Sequence, residues 1–194
     1  ISTRGAVGPQ SDVIIGGFIV NGTSGVTRVL VRTAGPSLGA AGVTDAMSDP
    51  TLELRDVYGT LIASNDNWKD TQQADIEATG LQPSNDLESA IVSTLDPGSY
   101  TAVVSGKNGG TGVGLVEGYD VDQAANSQLA NISTRGFVET GSNVMIGGFI
   151  LGGGGKVVNV VVRALGPSLT AFGVTEALAD PTLELHDENG ALIQ

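Results

Sequence analysis

The sequence contains no cysteine, one histidine, one tryptophan, and only nine lysines and arginines against 21 aspartates and glutamates. The absence of cysteine excludes disulfide staples and thiolate metal sites, and it removes redox chemistry as a guide to compartment. The shortage of basic residues leaves a net charge of −12. That sign argues against nucleic acid as a partner, because phosphates need a basic face, and against an anionic membrane surface. No run approaches the roughly 20 apolar residues of a membrane span, so no membrane insertion is expected. An acidic coat suits solubility or divalent cations. Aromatic residues make up 4 % of the chain and glycine reaches 29 residues. Val, Ile, Leu and Thr clustered between Gly-rich punctuation read as short strands and turns.

What the chain does contain is a repeat. Ile1-Ser2-Thr3-Arg4-Gly5 returns as Ile132-Ser133-Thr134-Arg135-Gly136. Ile15-Gly16-Gly17-Phe18-Ile19 returns as Ile146–Ile150, Gly35-Pro36-Ser37-Leu38 as Gly166–Leu169, and Asp49–Leu54 as Asp180–Leu185. The offset is 131 throughout, and 37 of the 63 overlapping positions are identical. A fixed period marks a repeat array. Ile1 lies inside a repeat signature, so the chain is expected to be a processed or excised part of a longer one. The reading is one complete repeat over 1–121, a short polar linker over 122–131, and the first half of a second repeat over 132–194.

Strands are expected at 2–7, 12–20, 26–33, 51–57, 60–65, 88–95, 100–105 and 113–121. Val29 and Val31 face one side of theirs, and Arg28, Leu30 and Arg32 the other. The paired Gly16-Gly17 inside a strand signals a bulge or the close approach of another backbone. Asn21–Gly25, and Gly152–Gly155 in the second copy, read as exposed hairpin tips. A helical turn is expected near Thr44–Met47, and a short helix over 70–79, capped by Asp70 and stopped by Gly80. About eight short strands at this spacing predict an all-β fold, an antiparallel β-sandwich.

From Asp49 onward the residues are familiar. Asp49–Leu54, Asp56–Ala63 with Asn65-Asp66-Asn67-Trp68, and Leu95–Val104 resemble the bacterial pre-peptidase C-terminal domain over about residues 49–121. The whole unit, with its leading Ile-Ser-Thr-Arg-Gly and Ile-Gly-Gly-Phe-Ile, resembles a tandem repeat of large secreted or surface proteins of environmental Gram-negative bacteria. The resemblance implies an extracellular, non-catalytic, jelly-roll-like sandwich at the cell surface.

Catalytic machinery is not expected. The single histidine, His186, stands where the complete repeat has Arg55, and a solvated strand residue is its plain reading. Glu53 and Glu117 are carboxylates with nothing to set their separation. Calcium is the better chemical candidate, because Asp56, Asn65, Asp66, Asn67, Asp70 and Asp86 offer hard oxygen ligands around one hairpin and the loop after it. The competing reading is that Asp and Asn bond their own turns. Trp68 is either a stacking platform for a glycan or a plug over a sandwich edge. Arg4 and Arg32, recurring as Arg135 and Arg163, are expected to pair with carboxylates such as Asp49 or Glu53.

The half repeat lacks the counterparts of the last three strands. Apolar positions such as Val160, Val162, Leu183 and Leu185 are then expected to be exposed, with open strand edges that template pairing. Either the chain continues, or another subunit supplies strands by β-addition, head to tail. The leading functional expectation is therefore a structural subunit of an extracellular filament or surface stalk, a homopolymer built by strand or half-domain complementation. The junction would involve Ile1, Ser2, Thr3 and Arg4, free to be lent to a neighbour, with Ile132, Ser133, Thr134 and Arg135. The alternative is an adhesin or carbohydrate-binding repeat of a larger secreted protein.

Overall fold

The computed structural model describes residues 1–9, 12–22, 25–122, 128–141, 143–151 and 159–194. The Gly152–Gly155 tip lies outside these residues, as do parts of the Asn21–Gly25 tip and of the linker. The chain divides into two compact units, Ile1–Ile150 and Leu151–Gln194.

Among its described residues the first unit holds ten strands: β1 (Ser2–Val7), β2 (Ile14–Asn21), β3 (Thr27–Ala34), β4 (Pro50–Arg55), β5 (Leu61–Asn65), β6 (Ala90–Leu95), β7 (Gly98–Gly106), β8 (Gly112–Asp120), β9 (Gln128–Arg135) and β10 (Ile146–Gly148). They form two five-stranded sheets, one in the order β10-β1-β8-β3-β6 and the other β5-β4-β7-β2-β9. Every ladder is antiparallel. This is the all-β, sandwich-like architecture that the alternation predicts.

The period of two decides the layers. In β2, Ile14, Gly16, Phe18 and Val20 are buried while Ile15, Gly17 and Ile19 face outward. In β4, Leu52 and Leu54 are fully buried, and Glu53 turns out to accept two hydrogen bonds from Arg55. Val29, Val31, Ile91 and Val104 join the same core. Each such side chain contributes about 1.5–3 kcal/mol on burial.

Leu30 and Val92 point away from that core and are nevertheless buried. Residues 66–88 fold over them, and Trp68 and Ile76 pack there as a second cluster. The helix in this cover, α1 (Gln73–Glu77), is shorter than 70–79, and no side chain caps it. Gln72 precedes it, and its amide is used elsewhere: it donates to the Val92 carbonyl and accepts from the Val92 N–H. Asn65 Oδ1 accepts from the Ala90 N–H. Both side chains thus cover the edge of β6, which would otherwise offer unpaired backbone groups. Gly80 does stop the segment, at φ 69°.

The helical turn expected at Thr44–Met47 lies earlier, as a 3₁₀ segment at Pro36–Ala41. Proline supplies the fixed φ for a first helical position, and Met47 instead fills the core.

The second unit keeps the local geometry of its counterpart but not the strands. Pro167–Phe172 repeats the 3₁₀ segment, and its preceding Gly166 has φ −135° and ψ −85°, against −141° and −80° at Gly35. Asp187 Oδ1 accepts from the Asn189 and Ala191 N–H groups, as Asp56 Oδ1 does from Tyr58 and Thr60. Among the described residues the counterparts of β3, β4 and β5 form no extended ladder; the last two meet only in an antiparallel bridge of His186 with Leu192. Val160, Val162 and Leu183 are 44, 43 and 51 % exposed, whereas their equivalents Val29, Val31 and Leu52 are at most 1 % exposed. Leu185 is half-buried. Turns close through neighbours in sequence; a strand needs partners, and counterparts of β6, β7 and β8 do not occur within residues 151–194.

Candidate functional site: the strand junction between repeats

The sequence repeat and the compact unit do not share a boundary. The first strands of the second copy belong to the sheets of the first. β9 carries the second Ile-Ser-Thr-Arg and lies along β2, pairing Ile15 with Arg135, Gly16 with Thr134, Gly17 with Ser133 and Phe18 with Ile132. The register slips between Phe18 and Ile19, where Asn131 takes φ 60°. That is a bulge of the kind one extra residue in a left-handed conformation makes. β10 carries the second Ile-Gly-Gly and lies along β1, pairing Ser2 with Gly148, Thr3 with Gly147 and Arg4 with Ile146.

One glycine of each pair faces the strand across the junction. A Cβ at Gly17 would stand 3.1 Å from the Ser133 carbonyl oxygen, and one at Gly148 would stand 2.6 Å from Ser2 Oγ. Between the two ladders Thr3 Oγ1 and Thr134 Oγ1 are 2.7 Å apart. Thr3 is buried and Thr134 half-buried.

The segment Ile1–Arg4 is not a free strand. β1 lies between β8 and β10, so both of its edges are used. In this chain the lending is done by the second copy, through Ile132, Ser133, Thr134 and Arg135. The physical reason is partner supply: β8 takes one edge of β1, from Ser2 opposite Glu117 to Val7 opposite Gly112.

The side chains read as calcium ligands are spread over separate tasks. Asp56 holds the β4–β5 turn. Asn65 covers β6 and donates to the Asn67 carbonyl. Asp66 pairs with Lys107 at 2.6 Å, Asp70 accepts from Asn67, and Asp86 pairs with Lys69. Among the described residues no group of three Asp, Glu or His side chains is placed to hold a metal. The Lys107 ammonium is held above its ordinary pKa, first by its hydrogen bond to Asp66 and then by the nearby Asp49 charge.

Trp68 is 5 % exposed, packed against Leu30 and Ile76, with the Lys69 ammonium 5.1 Å from its ring centre. A glycan platform needs an open ring face; this ring is a plug. Arg32 is paired as expected in kind but not in partner. It binds Glu117 at 2.7 Å, the Leu81 carbonyl and the Tyr119 hydroxyl, not Asp49 or Glu53. Burial, then the hydrogen bond to Glu117, pushes the Tyr119 phenol above its usual pKa. His186 binds Glu184 and the Gly190 carbonyl, the same two partners that Arg55 finds in Glu53 and Gly59. It is an arginine substitute in a turn, and the Glu184 carboxylate, with the Gly190 carbonyl, raises its pKa above 6.5.

One buried acid was not singled out in the sequence. Glu88 is 1 % exposed, and its Oε1 accepts from the Gly35 N–H, the Ser37 N–H and the Ser37 hydroxyl. The recurring Gly-Pro-Ser-Leu is thus a cradle for a carboxylate. Its donors lie about fifty residues upstream, so spacing alone gave no signal.

No family model matches the chain, and no curated protein matches it. Among solved structures it is similar to the pre-peptidase C-terminal domain of a collagenase from Bacillus anthracis, the domain type that residues 49–121 resemble. The similarity covers 61 % of this chain and 88 % of that one, at 12 % identity and a TM-score of 0.38.

Proposed function

We propose that this chain is a structural, non-catalytic segment of an extracellular bacterial filament or surface stalk, in which β-sandwich repeats are joined by strand complementation. The observation that carries the reading is that β9 and β10, strands of the second repeat, are added as edge strands to both sheets of the first. Pairing through backbone hydrogen bonds with alternating side-chain contacts is the mode by which proteins add strands to one another. The exposed apolar positions Val160, Val162 and Leu183 offer further surface for partners of the same kind. Copies of the chain itself are the proposed partners. The charge of −12 keeps such units soluble outside their contacts.

Electron microscopy and light scattering of the full chain test this. Elongated or polymeric particles that grow with protein concentration are expected. Monodisperse globular monomers at all concentrations would contradict the assembly.

A further inference from the structure

The two ladders at the junction are the same ladder twice. Adding 131 to one partner and subtracting it from the other turns Arg4–Ile146 into Arg135–Ile15, Thr3–Gly147 into Thr134–Gly16, and Ser2–Gly148 into Ser133–Gly17. The steric contacts exchange in the same way, Gly17 with Ser133 and Gly148 with Ser2. Two pairs of equivalent residues meet each other: Thr3 with Thr134 through their hydroxyls, and Ala6 with Phe137 in an antiparallel bridge. Equivalent residues meet where a two-fold axis passes, and residue i meeting j while j meets i is the signature of an isologous contact. The described residues of 132–148 also repeat the contacts of those of 1–17. The Glu139 N–H donates to the Asn143 carbonyl as Gly8 does to Asp12, and Gly136 faces Met145 as Gly5 faces Ile14.

We infer that two consecutive repeats close around a local two-fold axis at Thr3 and Thr134, and that the outer edges of β9 and β10 receive the strands of a complete second repeat that correspond to β8 and β7. No strand pairs with either outer edge among the described residues. In the first repeat the equivalent edges are taken: β1 by β8, with Ser2 opposite Glu117 and Thr3 opposite Val116, and β2 by β7, with Ile15 opposite Val103 and Gly16 opposite Ala102. Symmetry fixes the second register. Ser133 pairs with the counterpart of Glu117, Thr134 with that of Val116, and Ile146 with that of Val103. Both sheets then run unbroken through the two repeats. The inference concerns which strand meets which, and it stands whether or not the chain belongs to a filament.

The test is the full chain with a copy of residues 64–131 appended after Gln194, which completes the second repeat. Amide hydrogen exchange across 128–135 is compared with and without the appended segment. The expected result is protection of β9 raised tenfold or more. Unchanged exchange in β9 overturns the inference, whether the appended segment is itself protected or not, since its partner edges were on offer. A register-matched cysteine pair provides the second measurement in a chain with no other thiol. Ser133→Cys cross-links with Glu117→Cys in the appended copy, while a pair displaced by one residue does not. Equal cross-linking of both pairs, or of neither, also overturns it.

Discussion

Replacing Glu88 by alanine removes one oxygen on which three donors converge. The Gly35 N–H lies 3.0 Å from Oε1, the Ser37 N–H 2.9 Å and the Ser37 hydroxyl 2.5 Å. A hydrogen bond to a charged group contributes about 1.5–3 kcal/mol net, and a buried donor left without an acceptor costs about 1–3 kcal/mol. The Gly35 bond is buried, whereas the two from Ser37 are partly open to water, which replaces some of what is lost. The expected destabilisation is therefore about 3–5 kcal/mol, a large part of the roughly 5–15 kcal/mol that holds a domain together. Glu88→Gln keeps a neutral acceptor, and its expected cost is about 1–2 kcal/mol. Urea unfolding followed by fluorescence is the assay. Trp68 is the sole tryptophan, and its backbone N–H donates to the Glu88 carbonyl, so it reports this corner of the fold. The midpoint falls for both variants, more for alanine, with the slope unchanged. An alanine variant within about 0.5 kcal/mol of the parent would refute the claim that this carboxylate holds the Gly-Pro-Ser-Leu loop, since that is the range of a surface change.

The same geometry sets two further expectations. Gly17→Val places a side chain 3.1 Å or less from the Ser133 carbonyl oxygen; it should speed amide exchange throughout β9 by tenfold or more while the β3–β8 ladder keeps its protection, and unchanged exchange in β9 would remove the close-approach argument. His186 should titrate above 6.5 by NMR, because the Glu184 carboxylate favours its charged form. A base with a raised folded pKa adds stability below its unfolded value of 6.5, and that stability is lost as pH rises through the raised value. Glu184→Gln should return the midpoint towards 6.5, and a parent midpoint at or below 6.5 would contradict the pairing.

All eight strands of the first repeat were legible in the sequence, because runs rich in Val, Ile, Leu and Thr, several of them alternating, stand between turn residues. The β4–β5 turn was equally plain: Asp56 bonds its own backbone, and Gly59 takes φ 79°. What was not legible depends on partners distant in sequence. Ile-Ser-Thr-Arg is the same text in β1 and β9, yet one copy is an interior strand and the other an edge. Only the supply of neighbouring strands separates them. The burial of Glu88 was hidden for the same reason, as was the task of Gln72 on the edge of β6. Two signals of the junction stand in the sequence: the repeated Ile-Ser-Thr-Arg, and Gly16-Gly17 as paired glycines that ask for a backbone close by. The sequence did not say that the backbone belongs to the other copy of the motif.

The central claim is that the two copies of Ile-Ser-Thr-Arg meet at Thr3 and Thr134, whose hydroxyl oxygens stand 2.7 Å apart. Replacing both with cysteine in this thiol-free chain and oxidising it in air tests that contact directly. The expected product is an intramolecular disulfide, formed rapidly and nearly completely, that runs as a single chain under denaturing, non-reducing conditions, with protease fragments linked between 1–7 and 128–138. Two free thiols after oxidation, in a protein that melts like the parent, would contradict it.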